Sequence, residues 1–337
     1  MSAIARSQNL YIWSHMTTGE TSTKGSIQSA SKPTPKYIWY GGDILPWDDA
    51  KVHVTDMSWT SISAVFEGIR GYWNKTTNEH YIFRLDAHLK RLNQSMKLMR
   101  MNCPYSDEEI IQGILTLSRV NEIRGDLYIT PFAYFSGSIP GYEVAFQEPV
   151  EIYITAVPND SNLEAHRGSH CCVSSWVRIS DNSMPPRAKS ISNYQNSRLV
   201  STEAKLNGYD SGIILNNQGK VSEGAYACIF IIRDGVAITP PVTAGILESI
   251  TRDSVIQILR EDLNIEVRER NIDRTELYIA DEVLLCGTYA EIEPVISIDK
   301  YTIGTGDPGP ITNHLRGIYK NIVTGNAKTR TKWVTKV

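Results

Sequence analysis

The residues best placed to do chemistry in this chain are one lysine and a scattered set of groups that can hold an anion. Lys189 follows Pro185-Pro186-Arg187 in an irregular stretch. A lysine becomes a nucleophile or proton carrier when burial and nearby positive charge disfavour its ammonium form. Most lysines are solvated surface charges, so position alone does not single this one out. Arg84 closes an apolar run and offers a rigid fork of donors suited to a phosphate, but it could equally pair with Asp86. Ile250 and Thr251 stand where a helix through Val255 and Ile258 should begin, so their backbone amides can point at an anion. Thr251 and Thr288 add hydroxyls that do not titrate. Glu223 reads alone as a solvated strand-end glutamate, and Tyr194 as an ordinary interface tyrosine.

Other patterns point away from function. Gly304-Thr305-Gly306-Asp307-Pro308-Gly309 matches G-x-G-x-x-G literally. It lies near the carboxyl end, contains Pro308 and leaves no room for a βαβ unit, so it reads as a loop before a helix. The five cysteines have neither disulfide nor zinc spacing, and they read as buried free thiols in a reducing cytoplasm. No metal site is expected. The net charge of -3 favours neither nucleic acid nor an anionic membrane. No apolar run reaches the ~18 residues of a membrane span. Residues 1–35 lack a signal-peptide core and read as a loosely ordered extension, with Leu10-Tyr11-Ile12-Trp13 able to dock on a neighbour.

The elements that must position these groups follow from periodicity. Residues 37–40, 51–54 and 81–84 read as short strands between Gly, Pro and Asp. From Asp86, Leu89, Leu92, Met96 and Met99 fall on one helical face. A second helix starts at a capping box, Ser106-Asp107-Glu108-Glu109, with Ile110, Ile111, Ile114, Leu115 and Leu117 as its apolar stripe. Strands are expected at 126–134 and 151–157, and the polar run Pro158-Asn159-Asp160-Ser161-Asn162 reads as the interdomain connection. Beyond it come strands at 171–176, 212–215, 227–232 and 282–286. Helices are expected at 198–206, ended by Gly208, then at 251–259 and 311–323. Strands dominate each half and helices are grouped, which predicts two α+β domains rather than one doubly wound sheet. The expected division is an extension over 1–36, a small α/β domain over 37–157, a connecting loop over 158–167 and a larger β-rich domain over 168–337.

Several stretches together resemble the fold type IV pyridoxal-phosphate (PLP) enzymes, specifically the branched-chain aminotransferase group. The similarity lies in Val65-Phe66-Glu67-Gly68-Ile69-Arg70, then Phe83-Arg84 and His88-Leu89-Lys90-Arg91-Leu92, then Lys189 with Asn193-Tyr194. It continues through Val221-Ser222-Glu223-Gly224-Ala225, Thr239-Pro240-Pro241, Ile250-Thr251-Arg252, Ala280-Asp281-Glu282-Val283, Gly287-Thr288 and Ala290-Glu291-Ile292, and closes at Gly309-Pro310-Ile311-Thr312. It spans about residues 37–325. Each motif is weak alone; their shared order is not. The resemblance implies PLP as cofactor, held as a Schiff base on Lys189, which also shuttles the substrate proton. It assigns Glu223 to the cofactor's ring nitrogen, Tyr194 to its phenolic oxygen, and Arg84, Ile250, Thr251 and Thr288 to its phosphate. It implies a homodimer, because family sites are completed by a loop from the partner subunit.

The resemblance places the substrate pocket at Ser61, Phe66, Gly68, Tyr128, Thr130, Tyr226 and Tyr289, and the departures from the family pattern fall on this side. Where the family reads Tyr-Ile-Arg-Pro, with its arginine on the substrate carboxylate, this chain reads Tyr128-Ile129-Thr130-Pro131. Threonine cannot supply the charge-assisted pair. The usual His-Tyr-Gly is Thr60-Ser61-Ile62, and Asn159 and Asn162 stand where large aromatics are common. Tyr226 and Tyr289 replace Gly and Ala. A remodelled pocket is therefore expected, leaning towards (R)-amines or broad specificity, with a strict branched-chain L-amino acid enzyme using 2-oxoglutarate as the alternative. A D-amino-acid transaminase, aminodeoxychorismate lyase and a non-catalytic cofactor-binding protein complete the field. The expected partners are an amine or amino acid and a keto acid or ketone.

Overall fold

Strict alternation in the run Leu127–Phe135 builds a strand with Leu127, Ile129, Ala133 and Phe135 buried on one face. The computed structural model describes residues 35–52, 63–136, 149–165 and 167–337. That strand, β6, pairs antiparallel along its length with β7 (Val150–Pro158). Around them lie β1 (Tyr37–Tyr40), β2 (Asp43–Pro46), β3 (Val65–Phe66), β4 (Ile69–Asn74), β5 (Glu79–Phe83) and β17 (Val334–Lys336). The sheet order is β17-β5-β4-β6-β7-β1-β2, with β3 on β6. Helices α1 (Leu85–Leu98) and α2 (Asp107–Val120) contribute Leu89, Leu92, Met96, Ile110, Ile114 and Leu117 to one core with Ile129, Ile152 and Ile154 of the sheet. The capping box is present, with Ser106 and Glu109 satisfying each other's amides. A Cβ on Gly113 would stand 2.8 Å from the Trp39 indole nitrogen, so glycine sets how closely α2 approaches β1.

The second sheet is mixed. Its strands are β8 (Ser169–Val177), β9 (Ser211–Leu215), β10 (Val221–Gly224), β11 (Cys228–Arg233), β12 (Val236–Thr239), β13 (Val267–Glu269), β14 (Glu282–Gly287), β15 (Glu291–Ile298) and β16 (Tyr301–Thr302). They run β10-β9-β8-β15-β14-β11-β12-β13, with β16 on β15. Apart from Arg233 and Glu282 at their ends, β11 and β14 are apolar, and both of their faces are covered. Phe230, Ile232, Leu284 and Cys286 pack against Val255 of α4 (Ile250–Gln257) and Leu315 and Tyr319 of α6 (Pro310–Val323). Ile229, Ile231, Val283 and Leu285 pack on the other side with Leu277 of α5 (Arg274–Tyr278). Tyr72 and Phe83 of the first sheet join the former cluster, so one apolar core continues across the seam. The fold is α+β, as the element pattern predicted.

Three expectations change. α3 spans Ile191–Leu206, starting seven residues before the predicted 198, because its polar first turns take their order from packing. Lys51 and Val52 are not in a strand, and the rest of that predicted strand lies outside the described residues. The end of the chain does not stay with the second sheet. β17 returns to pair with β5, seated by the Arg84 amide donating to the Trp333 carbonyl at 2.6 Å.

Candidate active site

A cavity of about 260 Å³ takes Phe66 and Tyr128 from the first sheet and Glu223, Cys286 and Gly287 from the second. Lys189 enters it from a segment pinned at several backbone atoms. Its carbonyl accepts from the Phe66 amide at 3.0 Å, and its own amide donates to Ser95 Oγ at 3.1 Å. The side chain is buried. Nζ lies 4.7 Å from the Phe66 ring centroid and 4.8 Å from that of Tyr194, and donates to the Tyr194 hydroxyl. Burial, then the Arg91 guanidinium, push the Lys189 ammonium below its ordinary range. Burial also raises the Tyr194 phenol, which keeps its proton as a donor.

Glu223 faces the same cavity. The pairing of β9 and β10 is irregular between Val221 and Glu223, a break in register of the kind that re-aims a side chain beside a site. Desolvation raises its pKa, opposed by Arg178 Nη2 at 2.8 Å and the Leu247 amide at 3.1 Å. This is a buried carboxylate able to face a protonated ring nitrogen.

The arginines are placed differently from the sequence expectation. Arg84 does not line the cavity. It sits left-handed (φ 51°) at the start of α1, paired with Asp253 at 3.0 Å and Ser254 Oγ at 3.1 Å, and stacked 4.9 Å from the Trp333 ring centroid. Two arginines line the cavity instead, Arg91, two turns further along the helix, and Arg178 beside Glu223. Arg91 Nε and Nη2 donate to the two oxygens of buried Glu67 at 2.7 and 2.8 Å, and Nη1 donates to the Glu248 carbonyl at 2.9 Å. Among the described residues three of its five N–H groups are so used, which leaves two for a ligand. Burial would raise Glu67, but Arg91 and His88 overcome it and hold the carboxyl down to about 2. Burial keeps His88 neutral despite its 2.8 Å contact with Glu67.

Of the residues singled out in sequence, Phe66, Tyr128, Lys189, Tyr194, Glu223, Tyr226, Thr288 and Tyr289 line the cavity. Ile250 and Thr251 open α4 directly behind Ser249, which lines it and caps the helix by accepting from the Arg252 amide. Gly68 acts through Tyr128, whose hydroxyl would lie 2.0 Å from any Cβ placed there. Thr130 shares the Tyr128 face of β6, but the cavity does not reach it. Asn159 and Asn162 are not in its wall either; Asn159 receives Arg70 and Asn162 donates to Glu291. Ser61 lies outside the described residues. Sequence reasoning missed Arg91, Arg178 and Ser249. For Arg91 a signal existed, since His88, Arg91 and Ser95 form a polar stripe at helical spacing beside the apolar one, and all three are buried.

Residues 64–298 match the family of amino-transferase class IV. The chain belongs to the class IV aminotransferases. A probable branched-chain-amino-acid aminotransferase of Aquifex aeolicus is 42% identical over 302 residues, covering 89% of this chain and 96% of the relative. The branched-chain-amino-acid aminotransferase of Escherichia coli K12 is 37% identical over 304 residues, covering 89% and 97%. Among solved structures, a branched-chain amino acid aminotransferase of Thermobaculum terrenum in its PLP form superposes with a TM-score of 0.86 at 50% identity, covering 90% of this chain and 98% of that one. This class IV aminotransferase is a PLP-dependent transaminase with the two-sheet α+β architecture of its family. Among the described residues, no helix is long and apolar enough to cross a membrane.

Proposed function

We propose that this transaminase moves the amino group of branched-chain L-amino acids to a keto acid such as 2-oxoglutarate, with Lys189 as its catalytic amine. The observation that carries the chemistry is the buried Lys189 Nζ, held among Phe66, Tyr194 and Arg91 with its ammonium disfavoured. PLP, when bound, supplies an aldehyde that condenses with amines and a ring that withdraws electrons from the substrate's α carbon. The residues present fit it. Arg91 offers two free N–H groups, and the first-turn amides of α4 have no acceptor within their helix. Together with the Thr288 hydroxyl these would hold a phosphate. Glu223 would face the ring nitrogen, with the Arg178 guanidinium opposing the rise that burial causes in its carboxyl. Tyr194 donates to the phenolic oxygen. Lys189 Nζ would be the base that takes the proton from the substrate's α carbon.

The threonine at 130 led towards an amine-accepting enzyme, but relatives named for branched-chain amino acids support the alternative. The carboxylate has other donors available, the Tyr128 hydroxyl and the backbone amides of the turn at Thr288-Tyr289. The rings of Phe66, Tyr226 and Tyr289 offer apolar surface to a branched side chain. Tyr226 and Tyr289 remain exposed at 46% and 59%, which supports a homodimer whose second subunit closes the mouth. Buried free thiols at Cys171, Cys172, Cys228 and Cys286 support a cytoplasmic setting. Half-reactions followed by cofactor absorbance test the substrate reading. L-leucine should bleach the holoenzyme band quickly and (R)-1-phenylethylamine slowly; the reverse order overturns it.

A further inference from the structure

We infer that Arg70 and Glu291 are positioning residues that set the turn at residues 288–290 to receive the substrate's carboxylate, an inference that rests on the amino acid reading above. Arg70, on β4, is 1% exposed and stands outside the cavity wall, behind that turn. Its Nε donates to the Thr288 carbonyl at 2.9 Å and its Nη2 to the Tyr289 carbonyl at 3.3 Å. The rest of the guanidinium holds the connection between the sheets, through Asn159 O at 3.0 Å and Asn159 Oδ1 at 2.7 Å. One side chain thus ties two segments that are far apart in sequence.

Glu291 completes the arrangement. Its carboxylate lies 3.9 Å from Arg70 Nε and accepts from Ser161 Oγ at 2.8 Å and the Asn162 amide at 2.6 Å. Its backbone is left-handed (φ 57°), and among the described non-glycine residues of that kind it is the buried one. Such a conformation costs roughly 1–3 kcal/mol in general and persists where the surroundings over-determine it. The contacts to Ser161 and Asn162 do so here. Arg316 Nη2 adds further bonds to the carbonyls of Asn162 and Ala165, fixing the connection from its other side.

The consequence for the cavity follows from the planar trans peptide, in which C=O and N–H point opposite ways. With the Thr288 and Tyr289 carbonyls drawn back to Arg70, the amides of Tyr289 and Ala290 are turned away from it. Thr288 and Tyr289 line the cavity, so these donors are presented towards an anion there. Each carbonyl bonded to a guanidinium also polarises its peptide unit and strengthens the opposite N–H as a donor. Glu291 offsets the Arg70 charge, so the clamp supplies direction rather than a bare field.

Two competitive ligands of one shape test this on the holoenzyme, 4-methylpentanoate and its uncharged amide. The wild type should hold the acid at least about tenfold more tightly than the amide. Arg70→Gln should cut that preference about tenfold, leaving amide binding and PLP affinity within about twofold. Glu291→Gln, which can still accept from the Asn162 amide and donate to Ser161 Oγ but loses the charge, should shift it the same way by less. Should Arg70→Gln not fold, Glu291→Gln decides, with its melting temperature as the check on its fold. Equal loss of both ligands, or an unchanged preference in the variants, overturns the inference alone. A wild type with no preference for the acid overturns the amino acid reading and the inference with it.

Discussion

Helices α6 and α4 both begin on loops beside the second sheet, and both expose the amides that any helix start leaves without partners. At α6 the chain brings its own anion. The Glu282 carboxylate accepts from the amides of Ile311 and Thr312 at 2.9 and 2.8 Å and from Thr312 Oγ1 at 2.6 Å. A Cβ on Gly309 would lie 2.1 Å from that carboxyl, so the last glycine of the literal G-x-G-x-x-G serves this approach. At α4 only the small Ser249 hydroxyl fills in, and the cavity opens beside it. Arg84 and Arg91 repeat the contrast on α1, the first closed by Asp253, Ser254 and Trp333, the second left with spare donors. Groups satisfied within the chain contribute stability; groups left incomplete can bind.

The largest test of that division is Lys189→Met. It should lower amino transfer by roughly 10⁴-fold, the upper range for losing a proton-transfer group. The cofactor-free variant should nevertheless be more stable than wild type at pH 7, because no ammonium is then buried. The sign follows from the lowered folded pKa: the cost is full below it and fades as pH rises towards 10.5, where the unfolded lysine also deprotonates. Melting curves at pH 7 and 10.5 check this, and a gain that grows with pH would contradict it.

Next in size is Glu67→Gln, which leaves Arg91 buried with a neutral partner. The loss should be on the order of 3 kcal/mol in denaturant unfolding. Because the folded carboxyl lies near 2 against 4.5 when free, its contribution is present above pH 4.5 and lost as pH falls towards 2. The gap between wild type and variant should close over that window.

Two lysine substitutions then sharpen the comparison of arginines. Arg91→Lys loses the fork and should weaken PLP binding by about tenfold or more, while Arg84→Lys should change it by less than about twofold. Equilibrium titration with PLP separates them, and equal effects would erase the contrast. The smallest effect is expected for Glu282→Gln, about 1–2 kcal/mol of stability with PLP affinity unchanged.

Sequence made much of the site legible because its chemistry sits on ordered motifs. Lys189, Tyr194, Glu223 and Thr288 all meet at one cavity. Arg84, which the cavity does not reach, stands out in sequence because it ends an apolar run, whereas Arg91 lies in the string His88-Leu89-Lys90-Arg91 that looks solvated. Only the second buried stripe of α1 distinguishes them, and that is a property of two packed faces. The strands β6 and β7 and the apolar stripes of α1 and α2 were readable from period, whereas β4 and β15 were not expected although they run six and eight residues. Short strands such as β3, β13 and β17 were not, since two or three residues carry no period and pairing decides them. Arg70 likewise appeared only as one letter of a motif. Its role comes from carbonyls 89 and about 220 residues away in sequence.

The most direct test is to load the chain with PLP, reduce it with borohydride and map the labelled peptide. The pyridoxyl group should be found on Lys189, in the segment between Ala188 and Ser190 that β3 pins in place. A label on another lysine, or on none, would contradict the assignment of this cavity as the catalytic site.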